Sequence, residues 1–207
     1  CGTAALHEET LKAVHTDYIN AGSELITTNT YASSRIMLEA AGLGNHFEEI
    51  NLKAIKAATS AQKDCINNDI LIAGSLSHRF PIQDGDRQAK PENRVNPDIF
   101  KLSCEELAQF LSEKGCDLII LEMMYHPDRM ATVMEAVKKT GTPVWAGFST
   151  RRGENGEILS VMDEKDVLFE DILDIAMDYS FDVAGIMHTD VNEVSDSLNI
   201  LKQRFKG

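Results

Sequence analysis

A parallel α/β fold is predicted by three observations on this 207-residue chain. Short apolar runs alternate with amphipathic helical stretches along the whole length, which is βα repetition. Most of those runs are apolar on both faces, as strands covered on either side must be. Hydrophobic residues make up 43% of the chain and charged residues 26%, a balance that supports a packed core and excludes disordered and collagen-like chains. The length fits one domain, spanning 1–207.

The elements follow in order. Leu11, Val14, Tyr18 and Ile19 recur at helical spacing and stop at Gly22, a residue suited to the left-handed turn that ends a helix. A strand is expected over Glu24–Thr28, a helix over about 47–62 and a second strand over Ile70–Ser75. Leu76 to Pro97 carries Pro81, Pro91 and Pro97 among charges and reads as a long loop, either a lid or a disordered excursion. Ser103 followed three residues on by Glu106 has the spacing of a capping box, so a helix is expected to open there, bury Leu107, Phe110 and Leu111, and close at Gly115. A third strand is expected over Asp117–Glu122. Pro127 then opens a helix that carries Met130, Val133, Met134 and Val137 and ends at Gly141. The last two strands are expected over Pro143–Ser149 and Asp182–Met187, with a closing helix over about Val191–Arg204.

Twenty basic residues against thirty-three acidic ones give a net charge of −13, with an isoelectric point near 4.8. A field of that sign repels phosphate backbones and anionic lipid, which argues against a nucleic-acid or membrane-surface partner. Apolar runs such as Leu118–Leu121 fall far short of the roughly 20 residues a membrane helix needs, and no signal-peptide pattern opens the chain. Cys1, Cys65, Cys104 and Cys116 form no CxxC pair, so reduced thiols in a cytoplasm-like compartment are expected. GxSxG, GxGxxG and GxxxxGK[ST] are all missing, which weakens hydrolase, dinucleotide-binding and P-loop readings.

Function is best sought where the strands end. The expected strands run out into Thr28-Asn29-Thr30-Tyr31, Ser75 to His78, Glu122, Ser149-Thr150 and His188-Thr189. In a parallel sheet or barrel these ends converge on one rim, where ligands bind, although polar residues also stand at any strand exit. Glu122 directly follows Leu118-Ile119-Ile120-Leu121, so its carboxylate is partly desolvated and calls for a cation: a bound amine, a metal or a structural Arg or Lys. His188 follows Ala184-Gly185-Ile186-Met187 in the same way, as a ligand or as a hydrogen-bonded structural residue. The remaining histidines show no HExxH or HxH spacing, and His15 within its helix reads as a surface or packing residue.

The run His15-Thr16-Asp17-Tyr18-Ile19-Asn20-Ala21-Gly22-Ser23-Glu24-Leu25-Ile26-Thr27-Thr28-Asn29-Thr30-Tyr31 resembles the H-x-x-Y-x-x-A-G-(A/S)-x-x-(I/L)-x-T-N-T-Y signature of the homocysteine S-methyltransferase family. Ala73-Gly74-Ser75 resembles that family's third-strand AGS. Gly115-Cys116-Asp117 through Glu122 resembles its G-(A/C)-D-x-x-x-x-E, and Val144–Ser149 its fifth strand. The order and spacing agree from about residue 6 to 203.

This resemblance implies a (β/α)8 TIM-type barrel that uses zinc to methylate the thiol of homocysteine from a separate methyl donor. Strands two to six would be present. Strands one, seven and eight would lie outside a chain shorter than the roughly 250 residues of a complete barrel, so a truncated domain is expected, its open edges covered by another chain or by further segments. Glu122 matches the glutamate that binds the substrate amine, and Asn29, Thr30 and Ser75 would shape the pocket; no catalytic residue is assigned. The family holds zinc with one cysteine in a sixth-strand G-x-N-C motif and an adjacent pair near the end of the barrel. Gly185-Ile186-Met187-His188 occupies the place of that motif, so His188 would be the metal ligand, a neutral nitrogen in place of a thiolate. The cysteine pair is not found in the chain, and Cys1, Cys65, Cys104 and Cys116 do not replace it: Cys65 and Cys116 precede strands, at the opposite rim, and Cys104 opens a helix. The alternative is a non-catalytic relative that binds a small amino acid or a protein partner. An aldolase-type barrel is less attractive, since no lysine stands at the strand ends.

Overall fold

The computed structural model of the chain describes residues 3–65, 69–81, 95–162 and 165–206. The elements run α1 (Thr3–Leu6), α2 (Glu8–Asn20), β1 (Leu25–Thr27), α3 (Arg35–Ala40), a 3-10 turn (Gly44–His46), α4 (Phe47–Asp64), β2 (Leu71–Ser77), α5 (Pro97–Glu113), β3 (Leu118–Met124), α6 (Pro127–Lys138), β4 (Val144–Phe148), β5 (Thr150–Arg152), β6 (Ile158–Ser160), α7 (Phe169–Ala176), β7 (Val183–Ile186) and α8 (Val194–Arg204). Strands β1, β2, β3, β4 and β7 pair in that order, all parallel, into a curled half-barrel, and β5 with β6 forms a separate antiparallel hairpin. These are the five strands the sequence predicts, in the neighbour order of an incomplete TIM-type barrel. No helix among the described residues is long and apolar enough to cross a membrane.

Helices cover one face of the sheet. Ile26, Ile72, Ile119, Leu121, Ala146 and Phe148 are buried, and Phe148 meets Phe169 of α7 edge-on at 5.9 Å between ring centroids. On the alternate positions Ile120, Glu122 and Trp145 are half-buried, and Leu71 and Val183 are exposed. The expectation of strands apolar on both faces holds, but among the described residues only one face is fully covered. Gly74 sets the closeness of α5 to the sheet: a Cβ there would stand 3.0 Å from Leu111 Cβ and 3.1 Å from Cys116 Sγ.

The N-terminal rim repeats one device. Asp117, just before β3, accepts the Ile72 amide of β2 on Oδ2 (2.8 Å) and donates its own N–H to the Ile72 carbonyl. Asp182, just before β7, does the same to Val144 of β4, with its Oδ2 2.8 Å from the Val144 amide. Each aspartate thus extends a parallel ladder by one side-chain bond and pins its register.

Three expectations change. The capping box at Ser103 is not a helix start: α5 opens at Pro97, where Asn96 Oδ1 accepts the Asp98 amide at 2.8 Å. Ser103 instead accepts the Ile36 amide (3.2 Å), and Glu106 takes Arg35 in a two-pronged ion pair, so both dock α3 onto α5. Cys104 accordingly lies inside α5, buried, and opens no helix. The loop expected from Leu76 begins two residues later, because β2 runs to Ser77; residues 82–94, which the lid reading needs, lie outside the described residues. The last helix starts at Val194. The sequence reading also omits α3, α7 and the β5–β6 hairpin, whose three-residue strands are too short to carry a periodic signal.

Candidate functional site

The C-terminal ends of β1, β2 and β3 bring Thr28, Thr30, Ser75 and Glu122 into one hydrogen-bonded cluster. The Thr28 hydroxyl accepts the Ser75 amide (3.2 Å) and lies 2.8 Å from the Thr30 hydroxyl, which donates to the Ser75 carbonyl at 2.7 Å. Both threonines and Ser75 are buried. With its amide and carbonyl held by two side chains of the neighbouring strand's exit, Ser75 has its backbone fixed, and its hydroxyl donates to Glu122 Oε1. Glu122 is half-buried and forms no ion pair with any side chain among the described residues. Of the cations it calls for, the structural Arg or Lys is therefore lacking among the described residues.

Glu122 also marks where the β2–β3 ladder stops. Ser77 pairs with Glu122 in register; beyond it β3 bulges, its register to β4 shifts between Leu121 and Met124, and Met123 takes the left-handed conformation at φ 57°. Side chains catch the backbone there. The Met123 amide donates to Met187 Sδ (3.1 Å), and the amides of Tyr125 and His126 donate to Nε2 of the buried His78 (3.1 and 3.3 Å). The Tyr125 carbonyl accepts the Ser160 hydroxyl at 2.6 Å. Tyr31 closes the same wall by donating its hydroxyl to Met123 Sδ at 3.2 Å.

His188 stands at the exit of β7, exposed, with φ 48°. Its flanks are pinned. The Met187 amide donates to the Phe148 carbonyl (2.9 Å), and the Met187 side chain lies where a Cβ on Gly147 would fall, 2.6 Å away at the nearest. Thr189 donates to the Met187 carbonyl and accepts the Thr150 amide, and Thr150 in turn bonds Ser197 of α8 at 2.8 Å. Asn29 is exposed and makes no side-chain hydrogen bond among the described residues. The rim therefore joins Thr30, Ser75 and Glu122 of the predicted set, while Asn29 and His188 stand apart from their network.

A zinc ion needs several donors at one point, and the described residues do not supply them. No group of three or more His, Cys, Asp or Glu among the described residues could hold a metal. Cys65 follows α4 and Cys116 precedes β3, both at the opposite rim, as the sequence predicts; burial pushes the thiols of Cys104 and Cys116 up to about 12, far from a ligating thiolate. His188 can offer one nitrogen and no more.

Sequence reasoning passes over His78, Met187, Thr28 and the Thr150–Thr189–Ser197 hydroxyls as site builders. For all but Ser197, which lies in α8, position at a strand exit is the one signal that points to them, since each acts through a partner at least 39 residues away.

Comparison with known proteins converges on one group. Residues 1–201 match the model of the family described as homocysteine S-methyltransferase. Betaine–homocysteine S-methyltransferase 1 of Danio rerio is 28% identical over 160 residues, covering 77% of this chain and 37% of that protein. The Bos taurus protein of the same name is 28% identical over 161 residues, covering 76% and 36%. This chain thus spans about a third to a half of the length of the curated relatives it matches. Among solved structures, the metallated form of the homocysteine methyltransferase MmuM from Escherichia coli superposes with a TM-score of 0.76 at 18% identity, over 98% of this chain and 71% of that one. At that identity the likeness carries the fold.

Proposed function

The chain belongs to the homocysteine S-methyltransferase family, and from that premise we propose that the protein transfers a methyl group to the thiol of homocysteine, giving methionine, with Glu122 as the anchor of the substrate ammonium. One observation carries the reading: a half-buried strand-end carboxylate receives a single hydroxyl, from Ser75, and pairs with no cation among the described residues. Leaving a carboxylate partly desolvated and unpaired is costly, and a bound ammonium removes that cost. Ser75 donates to Oε1 and leaves Oε2 to the ligand. Thr28 and Thr30 hold Ser75 in place, and Asn29 lies beside them at the mouth.

The thiol must become a thiolate to attack an activated methyl carbon, and a bound zinc would supply that acidity. His188 is the residue proposed as one ligand, and the described residues bring no second. The methyl donor is a second small molecule. The net charge of −13 and the free thiols of Cys65, Cys104 and Cys116 among the described residues support a reducing, cytoplasm-like location with no nucleic-acid partner.

Isothermal titration of L-homocysteine into the protein tests the anchor. Glu122→Gln is expected to weaken binding about 10- to 100-fold, the value of a charge-assisted bond of about 1.5–3 kcal/mol. Unchanged affinity in that variant overturns the reading and favours the non-catalytic relative.

A further inference from the structure

We propose that His78 is the positioning residue for Glu122: its neutral imidazole takes over from the β2–β3 ladder where that ladder ends and holds the exit of β3 in the one conformation that presents the carboxylate. The proposal rests on the reading of Glu122 as substrate anchor.

The ladder between β2 and β3 closes at the Ser77–Glu122 pair, and His78 is the next residue of β2's chain. Across from it β3 bulges and its ladder to β2 has ended, while its register to β4 shifts between Leu121 and Met124. The consecutive amides of Tyr125 and His126 face His78, which is 1% exposed, and a buried acceptor left unused is costly. Nε2 of His78 accepts both, at 3.1 and 3.3 Å. The ring is wedged edge-on against Tyr125, with centroids 4.4 Å apart, and against His126 at 6.5 Å. An Nε2 that accepts carries no proton, so the ring is neutral with its proton on Nδ1. Protonation would aim an N–H at two other N–H groups and break both bonds.

The surroundings keep the ring neutral. Burial lowers its proton affinity most, Arg129 of α6 and His126 oppose a positive charge, and only a backbone hydrogen bond works the other way. Arg129 itself lies over the Tyr125 ring at 5.7 Å and the Phe80 ring at 4.9 Å. With the folded-state affinity held well below the ordinary value of 6.5, the latch is complete above pH 6.5 and is lost as pH falls through the depressed value.

Three forms of the complete protein separate acceptor, ring volume and titration. His78→Gln keeps an acceptor near the Nε2 position and cannot titrate; His78→Phe keeps the ring and loses the acceptor. Wild type and His78→Gln are expected to bind L-homocysteine within about threefold of each other at pH 7.5, and His78→Phe about tenfold or more weakly. The acid-side loss of binding should vanish in His78→Gln. In wild type the Nε2 nitrogen resonance should show an unprotonated acceptor at pH 6.5, and the Tyr125 and His126 amides should shift in His78→Phe. A packing role would invert the order, with Phe close to wild type and Gln impaired, and would overturn the proposal; so would a protonated Nε2. If wild type fails to bind homocysteine, the reading of Glu122 falls, and the nitrogen and amide resonances decide the latch without it.

Discussion

The two rims of this half-barrel solve opposite problems with the same sheet. At the N-terminal rim Asp117 and Asp182 add a side-chain bond to a ladder that is already regular, and Leu111 and Cys116 press onto Gly74. At the C-terminal rim the ladder fails: Met123 and His188 turn left-handed, and Thr28, His78, Met187 and Thr189 catch backbone groups that no strand can reach. The difference teaches where stability and function divide. The first rim spends its polar side chains on register, the second on holding open an irregular edge from which Glu122 projects.

Beyond the homocysteine titration, the largest effect that would sharpen this contrast comes from its two close-packed glycines. Gly74→Val is expected to cost about 1–3 kcal/mol in urea unfolding, because Leu111 Cβ is fixed on α5 and Cys116 is buried in the connection to β3. Gly147→Ala meets the flexible Met187 side chain first and should cost less than about 1 kcal/mol, while displacing the Met123 amide resonance that Met187 Sδ holds. Equal costs at both sites would erase the distinction between a packed rim and an adaptable one.

A smaller effect is expected at the register clamps. Asp117→Ala and Asp182→Ala should each lose about 1–2 kcal/mol in the same assay, and the Asn variants, which keep an acceptor, less than half of that. Additive losses in the double variant would fit two independent clamps, since they act on different strand pairs.

The smallest effect is a pH slope in α2, remote from both rims. His15 is buried there, its Nε2 without a hydrogen-bond partner among the described residues, and burial lowers its pKa below 6.5. The unfolded chain therefore takes up a proton first. Stability is complete above pH 6.5 and falls as pH drops from there through the lowered value. His15→Gln should flatten that part of the stability curve; an unaltered slope would mean that other groups carry it.

Much of the framework was legible because it is local. Strand runs such as Leu118–Leu121 and the helix from Pro127 to near Gly141 announce themselves by composition and by residues whose backbone preferences are fixed. Where a local signal had a distant partner it misled. Ser103 and Glu106 look like a cap but serve Ile36 and Arg35 across the α3–α5 contact, and the true cap, Asn96 before Pro97, lies within the Leu76–Pro97 stretch that reads as a loop.

The parallel βα order, the rim on which Thr30, Ser75 and Glu122 stand, and the family resemblance are written in the chain itself, because periodicity and motif spacing are properties of neighbouring residues. Tertiary packing alone set Ser75 on Glu122 and His78 against the exit of β3. Those facts depend on which strand lies beside which and on a bulge after Glu122, and hydrogen bonds between residues 47 positions apart leave no mark on either one's neighbours.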